Sequence, residues 1–399
     1  MKCKISGKGI KPFMSFGKMP IANGFLNKKE FQKEFFFKME VGFSEKFSLF
    51  QLNDHPAPKQ MFNNNYPFYT GSSELMKLHF KKYSSFLKKN YIKYNSKIIE
   101  IGSNDGTFLK NFNKNEIDYI GFEPSGNVAK LAKKNGIKTI NKFFGTKSLS
   151  SVKNFLGQTD VVFAANVICH IPNLLDLINA VDKLLSKNGV FIFEEPYLGS
   201  MFEKTSYDQI YDEHIFMFSA TSVKKIFSLF DMELIDLIKQ ETHGGSMRYV
   251  ISRKKYRSIN SNVKKILAEE KKLNLDNVES CLLFKKKCEE SKIKLQNSLK
   301  NFKLKGKKIV GYAATSKSTT ILNYCKIGPQ IIDYICDTTP EKIGKYSPGM
   351  HIPIVSTDYF RKDNPDIAYL FAWNHKKEIL KKEKCFKKNN LKWISHVKI

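Results

Sequence analysis

Two glycines flanked by acids near residue 100 say most about the chemistry of this chain. An apolar run from Lys97 ends in the residues EIGSNDG, which extend from Glu100 to Gly106, and a second apolar run ends in Glu123. This order predicts a strand, a glycine turn, a helix and a second strand, which together form a nucleoside pocket at the carboxyl ends of parallel strands. We expect Glu123 to accept hydrogen bonds from both hydroxyls of an adenosine ribose.

The turn also indicates which adenosine cofactor would bind. A dinucleotide requires G-x-G-x-x-G, so that its pyrophosphate can approach the backbone at a helix N-terminus. Here Asn104 replaces the middle glycine, and the acids Glu100 and Asp105 would repel phosphate. Because acids favour a cationic amino-acid group, the pattern predicts a site for S-adenosylmethionine (SAM). The residues assigned to this site are Glu100, Gly102, Ser103, Asn104, Gly106, Glu123, Pro124 and Asn166.

A polar block inside an aromatic segment supplies candidates for acid–base chemistry. Tyr211, Glu213 and His214 belong to the sequence YDEH, with tyrosine and phenylalanine on both sides. Such groups are costly to bury without partners, and a histidine beside a carboxylate suits a general base. The alternative is the solvated start of a helix. His170 follows the fourth predicted strand at the ligand-binding edge, where either a structural or a catalytic role fits.

Two further segments place glycine or hydroxyl residues beside a cation. The sequence HGGSMR runs from His243 to Arg248, and it fits either backbone packed close to a ligand or a hairpin turn between two strands. The sequence GYAATSK ends at Lys317. Its hydroxyls and lysine after a strand suit an anion, although a purely structural turn has the same pattern.

Alternating strands and helices must position these residues. A helix over 72–94 precedes a run of strands and helices between 97 and 253, which predicts an α/β doubly wound domain. Residues 258–304 show helical periodicity with one apolar stripe, and a second Rossmann-like unit begins with the strand before Lys317. The strands predicted in the first unit are 97–101, 118–122, 137–140, 160–164, 190–194, 234–238 and 247–252.

Composition narrows the class of protein. No apolar run reaches the roughly 18 residues of a membrane span, and the amino terminus lacks the apolar stretch of a signal peptide. Seven scattered cysteines in a long chain without a signal peptide predict a reduced, cytoplasmic protein, and we expect no membrane partner. The net charge of +29 comes from dispersed lysines, with arginine only at four positions. Because base readout favours arginine, we expect no nucleic-acid partner.

Taken together, these segments make the chain similar to a known family, the SAM-dependent C-methyltransferases that act on nucleotide-linked 4-keto deoxysugars. The resemblance covers nearly the whole chain, and the motifs are specific in combination. Besides the segments above, it rests on the motifs at 16–26, 62–73, 166–172, 323–325 and 348–353.

The resemblance implies a class I SAM methyltransferase (Rossmann-like) domain and a second Rossmann-like domain, after a small irregular amino-terminal domain. We expect the domains to cover 1–70, 71–254 for the SAM-binding domain, 255–305 for a helical connector, and 306–399. The family's amino-terminal domain binds zinc through four cysteines, which correspond here to Cys3, Ser6, Ser44 and Phe47. One thiolate cannot hold a structural zinc, so no metal is expected.

The resemblance also implies a mechanism, in which a base removes the proton from the carbon next to the ketone so that this carbon can accept a methyl group. His214 matches the base, held by Glu213 with Tyr211 nearby, and His170 matches a second active-site histidine. Tyr66 matches the family's upstream tyrosine, with Tyr69 as the alternative. The enolate oxygen also needs a donor, which Tyr211, Tyr66 or His170 would supply. The residues expected to bind substrate are Tyr69, His243, Arg248 and Lys317.

Two rival functions stay open beside the expected one. A SAM-dependent enzyme would instead methylate oxygen or nitrogen on a related sugar nucleotide, its base acting on a hydroxyl or amine. A protein without catalytic activity would only bind the sugar nucleotide, which the intact YDEH block argues against. In either case the expected ligand is a nucleotide-linked keto sugar, and the protein is expected to be a monomer or homodimer.

Overall fold

The computed structural model describes residues 1–384 and 391–398. Three sheets organise this part of the chain, one of four, one of seven and one of five strands. Within the same ranges, no helix is both long and apolar enough to cross a membrane.

The amino-terminal segment forms a sheet, so the prediction that it is irregular is wrong. Its strands are antiparallel, and a short strand from the central domain completes the sheet. Two register shifts interrupt the pairing of its first two strands, which obscures the alternation of apolar and polar residues that reveals a strand in sequence. The elements are β1 (Pro12–Pro20), β2 (Phe36–Ser44), β3 (Leu49–Leu52), the helix α1 (Pro58–Met61) and the added strand β9 (Phe216–Met217).

The central sheet contains every strand predicted between 97 and 253. The remaining strands of this domain are β4 (Lys97–Ile101), β5 (Asp118–Phe122), β6 (Thr139–Ile140), β7 (Thr159–Ala165), β8 (Leu185–Pro196), β10 (Met232–Gln240) and β11 (Ser246–Arg253). Their order is β10-β11-β8-β7-β4-β5-β6, and β11 is antiparallel to both of its neighbours. The chain leaves β4 first towards β5 and later crosses to β7, so the ligand-binding crevice lies at the carboxyl end of β4.

Helices cover both faces of this sheet because successive strand residues point to opposite sides. Ile99 and Ile101 belong to one hydrophobic core, and Ile98 belongs to another. The first helix begins after Ser73, whose hydroxyl accepts a hydrogen bond from the amide of Met76. The helices of the domain are α2 (Glu74–Asn90), α3 (Gly126–Lys134), α4 (Leu174–Leu184), α5 (Leu198–Lys204) and α6 (Ala220–Phe227).

Two helices lead to the carboxyl-terminal sheet, as the periodicity of 258–304 predicts. They are α7 (Ser261–Lys272) and α8 (Val278–Leu304), and α8 buries Cys281, Phe284, Cys288, Leu295 and Leu299. The sheet beyond them is parallel throughout, in the order β14-β13-β12-β15-β16. Its elements are β12 (Ile309–Tyr312), α9 (Ser316–Tyr324), β13 (Ile335–Asp337), β14 (Ile354–Ser356), α10 (Thr357–Asp363), β15 (Ile367–Leu370), α11 (Lys376–Glu383) and β16 (Lys392–Ile394).

The amino-terminal segment also packs on the carboxyl-terminal domain, through the loop at 348–353, which has the sequence PGMHIP. Glu34 accepts a hydrogen bond from the amide of Gly349 at 2.8 Å, and its other oxygen lies 2.7 Å from Nε2 of His351. Leu26 forms a β-bridge with Tyr346 just before this loop. The same segment meets both other domains at Ala22, whose amide donates to Asp212 at 3.2 Å and whose carbonyl oxygen accepts a hydrogen bond from Thr319 at 2.8 Å.

Candidate active site

A cavity of about 1210 Å³ lies where the three domains meet. The glycine turn of the central domain, the YDEH block and loops of the carboxyl-terminal domain all contribute to its wall. The predicted site residues that line it are Tyr66, Tyr69, Gly102, Asn104, Glu123, Pro124, Asn166, His170, Tyr211, Glu213, His214, His243 and Lys317. The fold therefore brings most of the predicted residues around one space.

The glycine turn brings the backbone close to this cavity. Gly102 has φ +69°, and a β-carbon at this position would overlap the side chain of Val167. Glu123, at the tip of β5, accepts hydrogen bonds from the amides of Asn104 at 3.0 Å and Ser125 at 2.7 Å. These two bonds fix the carboxylate, and each oxygen keeps a lone pair for a ligand.

Unpaired polar atoms show that this part of the cavity suits a polar ligand. Oδ1 of Asn166 is buried without a hydrogen-bond partner and belongs to a residue of the cavity wall. Glu100 is also fully enclosed, and Oε2 of its carboxyl group is unpaired. Burial, followed by the neighbouring Asp105 and Glu123, raises the pKa of Glu100 well above its ordinary value. A cationic ligand would oppose that rise, so the acids fit SAM, as does the close approach of the backbone at Gly102.

The segment between α1 and α2 covers the glycine turn. Asn104 accepts a hydrogen bond from the amide of Thr70 at 2.9 Å, and Asp105 accepts one from Gly71 at 2.8 Å. Tyr69 accepts a hydrogen bond from Asn127 at 2.7 Å. Glu100, Ser103 and Gly106, which were also assigned to the cofactor site, belong to the turn but are not among the residues that line the cavity.

His214 is held in one tautomer by its neighbours. Its Nδ1 lies 2.7 Å from the carbonyl oxygen of Gln209. A carbonyl oxygen can accept a hydrogen bond but cannot donate one, so Nδ1 carries the proton. Nε2 is therefore free to accept, and the hydroxyl of Tyr211 donates to it at 2.6 Å. Burial, and after it the nearby His170, holds the pKa of His214 well below its ordinary value. The imidazole is neutral at physiological pH, as a base requires.

Glu213 does not hold His214, so that part of the prediction is wrong. Its Oε1 accepts a hydrogen bond from Asn23 at 2.7 Å, and its Oε2 accepts one from Tyr66 at 3.4 Å. Glu213 and His214 are adjacent in this turn but have different partners. The carboxylate of Glu213 instead connects the amino-terminal segment to the YDEH block. Burial raises the pKa of Glu213 to about 7.

His170 stacks between two cavity residues. Its ring centre lies 5.3 Å from that of His214 and 5.6 Å from that of Phe62. Nε2 of His170 is buried without a hydrogen-bond partner, and burial lowers the pKa of this histidine to about 3. The structure therefore offers a neutral, unpaired imidazole nitrogen beside His214.

His243 and Lys317 also line the cavity. Burial lowers the pKa of His243 to about 3, and its Nε2 has no partner. Nζ of Lys317 donates to Asn374 at 3.1 Å. Burial lowers the pKa of Lys317 as well, and an anion beside it would raise that pKa again.

Arg248 does not reach the cavity, which corrects its assignment to the substrate site. It is buried on β11, where its Nη2 lies 2.9 Å from Glu194 and its guanidinium group lies 3.6 Å from the centre of the Tyr83 ring. Its position five residues after His243 suggests proximity, but the intervening strand places the side chain in the interior of the domain.

The cysteine positions of the zinc-binding family come together here without the ligands for a metal. Cys3 is buried, and hydrogen bonds from Ser44 and Ser6 lower the pKa of its thiol despite the opposing effect of burial. Phe47 is packed in the same hydrophobic core as Cys3. One sulfur, two hydroxyls and a phenyl ring do not fit zinc, so we derive no role for it.

A second group of possible metal ligands lies inside the cavity region. Cys169, His170 and His214 have donor atoms within 4.8 Å of one another. Burial raises the pKa of the Cys169 thiol well above its ordinary value, and the thiol bonds to Glu195. Both nitrogens of His214 also have partners, in Tyr211 and Gln209, so we assign no metal to this group.

Sequence reasoning missed three contributors to the site. Asn23 binds Glu213, Phe62 stacks on His170, and Gln209 orients His214 through its carbonyl oxygen. Asn23 and Phe62 lie in the motifs at 16–26 and 62–73, which gave a signal for them. A backbone carbonyl acts regardless of residue type, so the sequence holds no signal for Gln209.

Comparison with known proteins agrees with this arrangement. Three family models match consecutive parts of the chain: a zinc binding domain over 3–62, a methyltransferase domain over 75–237 and a C-methyltransferase C-terminal domain over 241–397. The C-methyltransferase NovU of Streptomyces niveus is 27% identical over 384 residues, which cover 96% of this chain and 91% of that protein.

Two solved structures resemble this chain over less than half of its length. The PH0226 protein from Pyrococcus horikoshii OT3 is 17% identical, with a TM-score of 0.38, over 48% of this chain and 97% of that one. Magnesium protoporphyrin IX methyltransferase from Synechocystis PCC 6803 is 12% identical, with a TM-score of 0.35, over 44% of this chain and 83% of that one.

Proposed function

We propose that this chain, which belongs to the SAM-dependent C-methyltransferases of three-domain architecture, methylates the carbon next to the ketone of a nucleotide-linked keto sugar. The observation that carries the proposal is the shared cavity, in which the glycine turn and the Tyr211–His214 pair face the same space. A cofactor and an acidic C–H bond can therefore be brought to one place, which is what carbon methylation requires.

In this proposal His214 is the base. A carbon next to a carbonyl is a weak acid, and Nε2 of His214 takes its proton while the C–H electrons move to the carbonyl oxygen. The contact with Gln209 keeps Nδ1 protonated, so only Nε2 can accept. Tyr211 now donates to that nitrogen, and on substrate binding its hydroxyl turns to the enolate oxygen that forms.

The other wall residues stabilise and align the reacting group. His170 offers an unpaired nitrogen next to the base, and Tyr66 is fixed by Glu213 at the same edge of the cavity. SAM, when bound, supplies an electrophilic methyl group that needs alignment rather than activation. Glu123, Asn104 and Asn166 would hold it.

The carboxyl-terminal wall suits the anionic part of a sugar nucleotide. Lys317 lies at the first turn of α9, beside the hydroxyls of Thr315 and Ser316, and Lys342 also lines the cavity. Cations and a helix N-terminus together favour a diphosphate. Burial of Lys317 and partial burial of Lys342 are unfavourable without an anion, which supports a charged ligand here.

Isotope exchange tests the proposal directly. The protein is incubated in D₂O with SAM omitted and with a panel of nucleotide 4-keto sugars, and deuterium at the carbon next to the ketone is followed by NMR. Wild type should exchange, and His214→Asn should exchange about 10²- to 10⁴-fold more slowly. His55→Asn is the matched control, because His55 bonds to the Pro56 carbonyl oxygen and is not among the residues that line the cavity.

Addition of SAM then gives the position of the new methyl group. A methyl group on carbon agrees with the proposal, and a methyl group on oxygen or nitrogen refutes it. Exchange by His214→Asn at the rate of wild type would show that the base lies elsewhere, and His170 would be the first candidate.

A further inference from the structure

Asp208 connects the loop of the proposed base to the carboxyl-terminal domain. It is fully buried and directly precedes Gln209, whose carbonyl oxygen orients His214. Its Oδ2 accepts a hydrogen bond from the indole nitrogen of Trp373 at 2.7 Å, and its Oδ1 lies 3.2 Å from Nε2 of His396. A buried carboxylate is stable only with such partners, and both come from the other domain.

Trp373 lies directly behind the substrate wall of the cavity. Its neighbours in sequence, Ala372 and Asn374, line the cavity. Nζ of Lys317 lies 4.6 Å from the centre of the Trp373 ring. The ring also packs so closely on Gly244, next to His243, that a β-carbon at Gly244 would overlap it. The indole therefore touches the residues expected to meet substrate on one side and Asp208 on the other.

His396 completes the connection. Its Nδ1 lies 2.9 Å from the hydroxyl of Tyr369, on the central part of the parallel sheet, and its side chain is almost fully buried. Although burial acts to raise it, His396, Lys317 and Trp373 together hold the pKa of Asp208 below its ordinary value. Asp208 thus stays ionised, and its hydrogen bonds are charge-assisted and strong.

We propose that Trp373, with Asp208 and His396, positions the base by fixing the loop of His214 to the wall where the anionic part of the substrate binds. The inference rests on the proposed function, because it takes His214 as the proton acceptor. Thr320 strengthens the same junction by donating to the carbonyl oxygen of Ile210 at 2.9 Å. A displacement of about 1 Å at a catalytic group can lower the rate on the order of 10²-fold, so the junction need move only slightly.

The two tryptophans of the chain provide a matched pair of variants. Trp373→Phe keeps an aromatic ring against Gly244 but removes the N–H that binds Asp208. Trp393→Phe makes the same change on β16, where the indole nitrogen has no hydrogen-bond partner and the ring packs on Tyr312. The comparison therefore isolates the hydrogen bond to Asp208 from the loss of ring volume.

Deuterium exchange without SAM, turnover with SAM, the Michaelis constant (KM) for the sugar nucleotide and the melting temperature are measured for both variants. We expect exchange and kcat to be about 10- to 100-fold lower in Trp373→Phe than in Trp393→Phe, with KM changed by less than about threefold. If Trp373 had a merely structural role, the melting temperature would fall, but exchange and kcat would not be lowered at a nearly unchanged KM. If Trp373→Phe does not fold, Asp208→Asn, which keeps the shape but not the charge, should show the same split.

Two results would overturn the inference. Exchange in Trp373→Phe within about twofold of Trp393→Phe would show that the hydrogen bond does not position the base. A raised KM at unchanged kcat would make Trp373 part of substrate binding instead. A His214→Asn variant that exchanges deuterium and methylates carbon at the wild-type rate would refute the proposed base itself, and this inference with it.

Discussion

Gly102→Ala is expected to damage the cofactor turn through a single methyl group. Gly102 has φ +69°, and the added β-carbon would lie 2.7 Å from Cγ1 and 3.1 Å from Cβ of Val167. The backbone of Val167 is held in place, because its amide donates to the buried carboxylate of Glu195 at 2.9 Å. Both the backbone conformation and the packing therefore oppose the substitution.

The size of the effect follows from these two terms. A left-handed backbone costs a non-glycine residue about 1–2 kcal/mol, and overpacking of a core costs about 1–3 kcal/mol. The reduced freedom of the unfolded chain returns about 0.4–1 kcal/mol. We expect Gly102→Ala to lower the free energy of unfolding by about 1–4 kcal/mol and to weaken SAM binding.

A double-mutant cycle separates the two terms. Val167→Ala removes the γ-carbons that the new methyl group would strike, so the double variant should recover about 1–3 kcal/mol relative to the sum of the single variants. Urea unfolding measures the four stabilities, and calorimetry measures SAM affinity. Strict additivity would refute the predicted collision between the methyl group and Val167.

Three other outcomes are expected. Glu123→Ala should weaken SAM binding about 10- to 100-fold in calorimetry, because charge-assisted hydrogen bonds to the ribose are worth about 1.5–3 kcal/mol; unchanged affinity would remove Glu123 from the site. Lys317→Ala should raise the KM for the sugar nucleotide and leave SAM affinity unaltered, and the reverse pattern would contradict the anion site. Because burial lowers the pKa of His214, the base loses its activity only when pH falls below the ordinary histidine value of about 6.5, and an acid limb of kcat/KM assigned to His214 at or above that value would be inconsistent.

The central domain could be predicted from sequence because its strands are buried on both sides. Such strands appear as continuous apolar runs, and a turn or an acid marks the edge where each one ends. Gly102 and Glu123 stand at those edges, and both line the cavity. The residue that ends each strand in sequence also lies at the ligand-binding edge in the fold, because the carboxyl ends of parallel strands meet at one edge of the sheet.

The amino-terminal sheet could not be predicted in the same way. Its pairing of β1 with β2 contains two register shifts, and its fourth strand comes from Phe216–Met217, far along the chain. No local pattern records that residues so distant in sequence pair. The domain boundaries inferred from sequence accordingly remain a prediction.

The directions of side chains were the other feature that the sequence could not predict. Glu213 and His214 are adjacent in sequence, yet one binds Asn23 and the other binds Gln209. Arg248 follows a glycine pair that lies near the cavity, but it is turned inward to Glu194. Type and spacing identified the chemistry of the segment, whereas the division of roles within it depends on turns whose geometry only the folded chain defines.

The electrostatics of the cavity fit a cationic cofactor and a neutral base together. Burial lowers the pKa of His170, His214 and His243, so these histidines carry no charge that would repel a sulfonium. Burial raises the pKa of Glu100 and Glu123, and a bound cation would lower both values again. A bound cation would therefore favour the ionised form of both carboxyl groups, while the imidazole of His214 keeps its accepting nitrogen. The same enclosed space can thus favour the cofactor's charge and preserve the base.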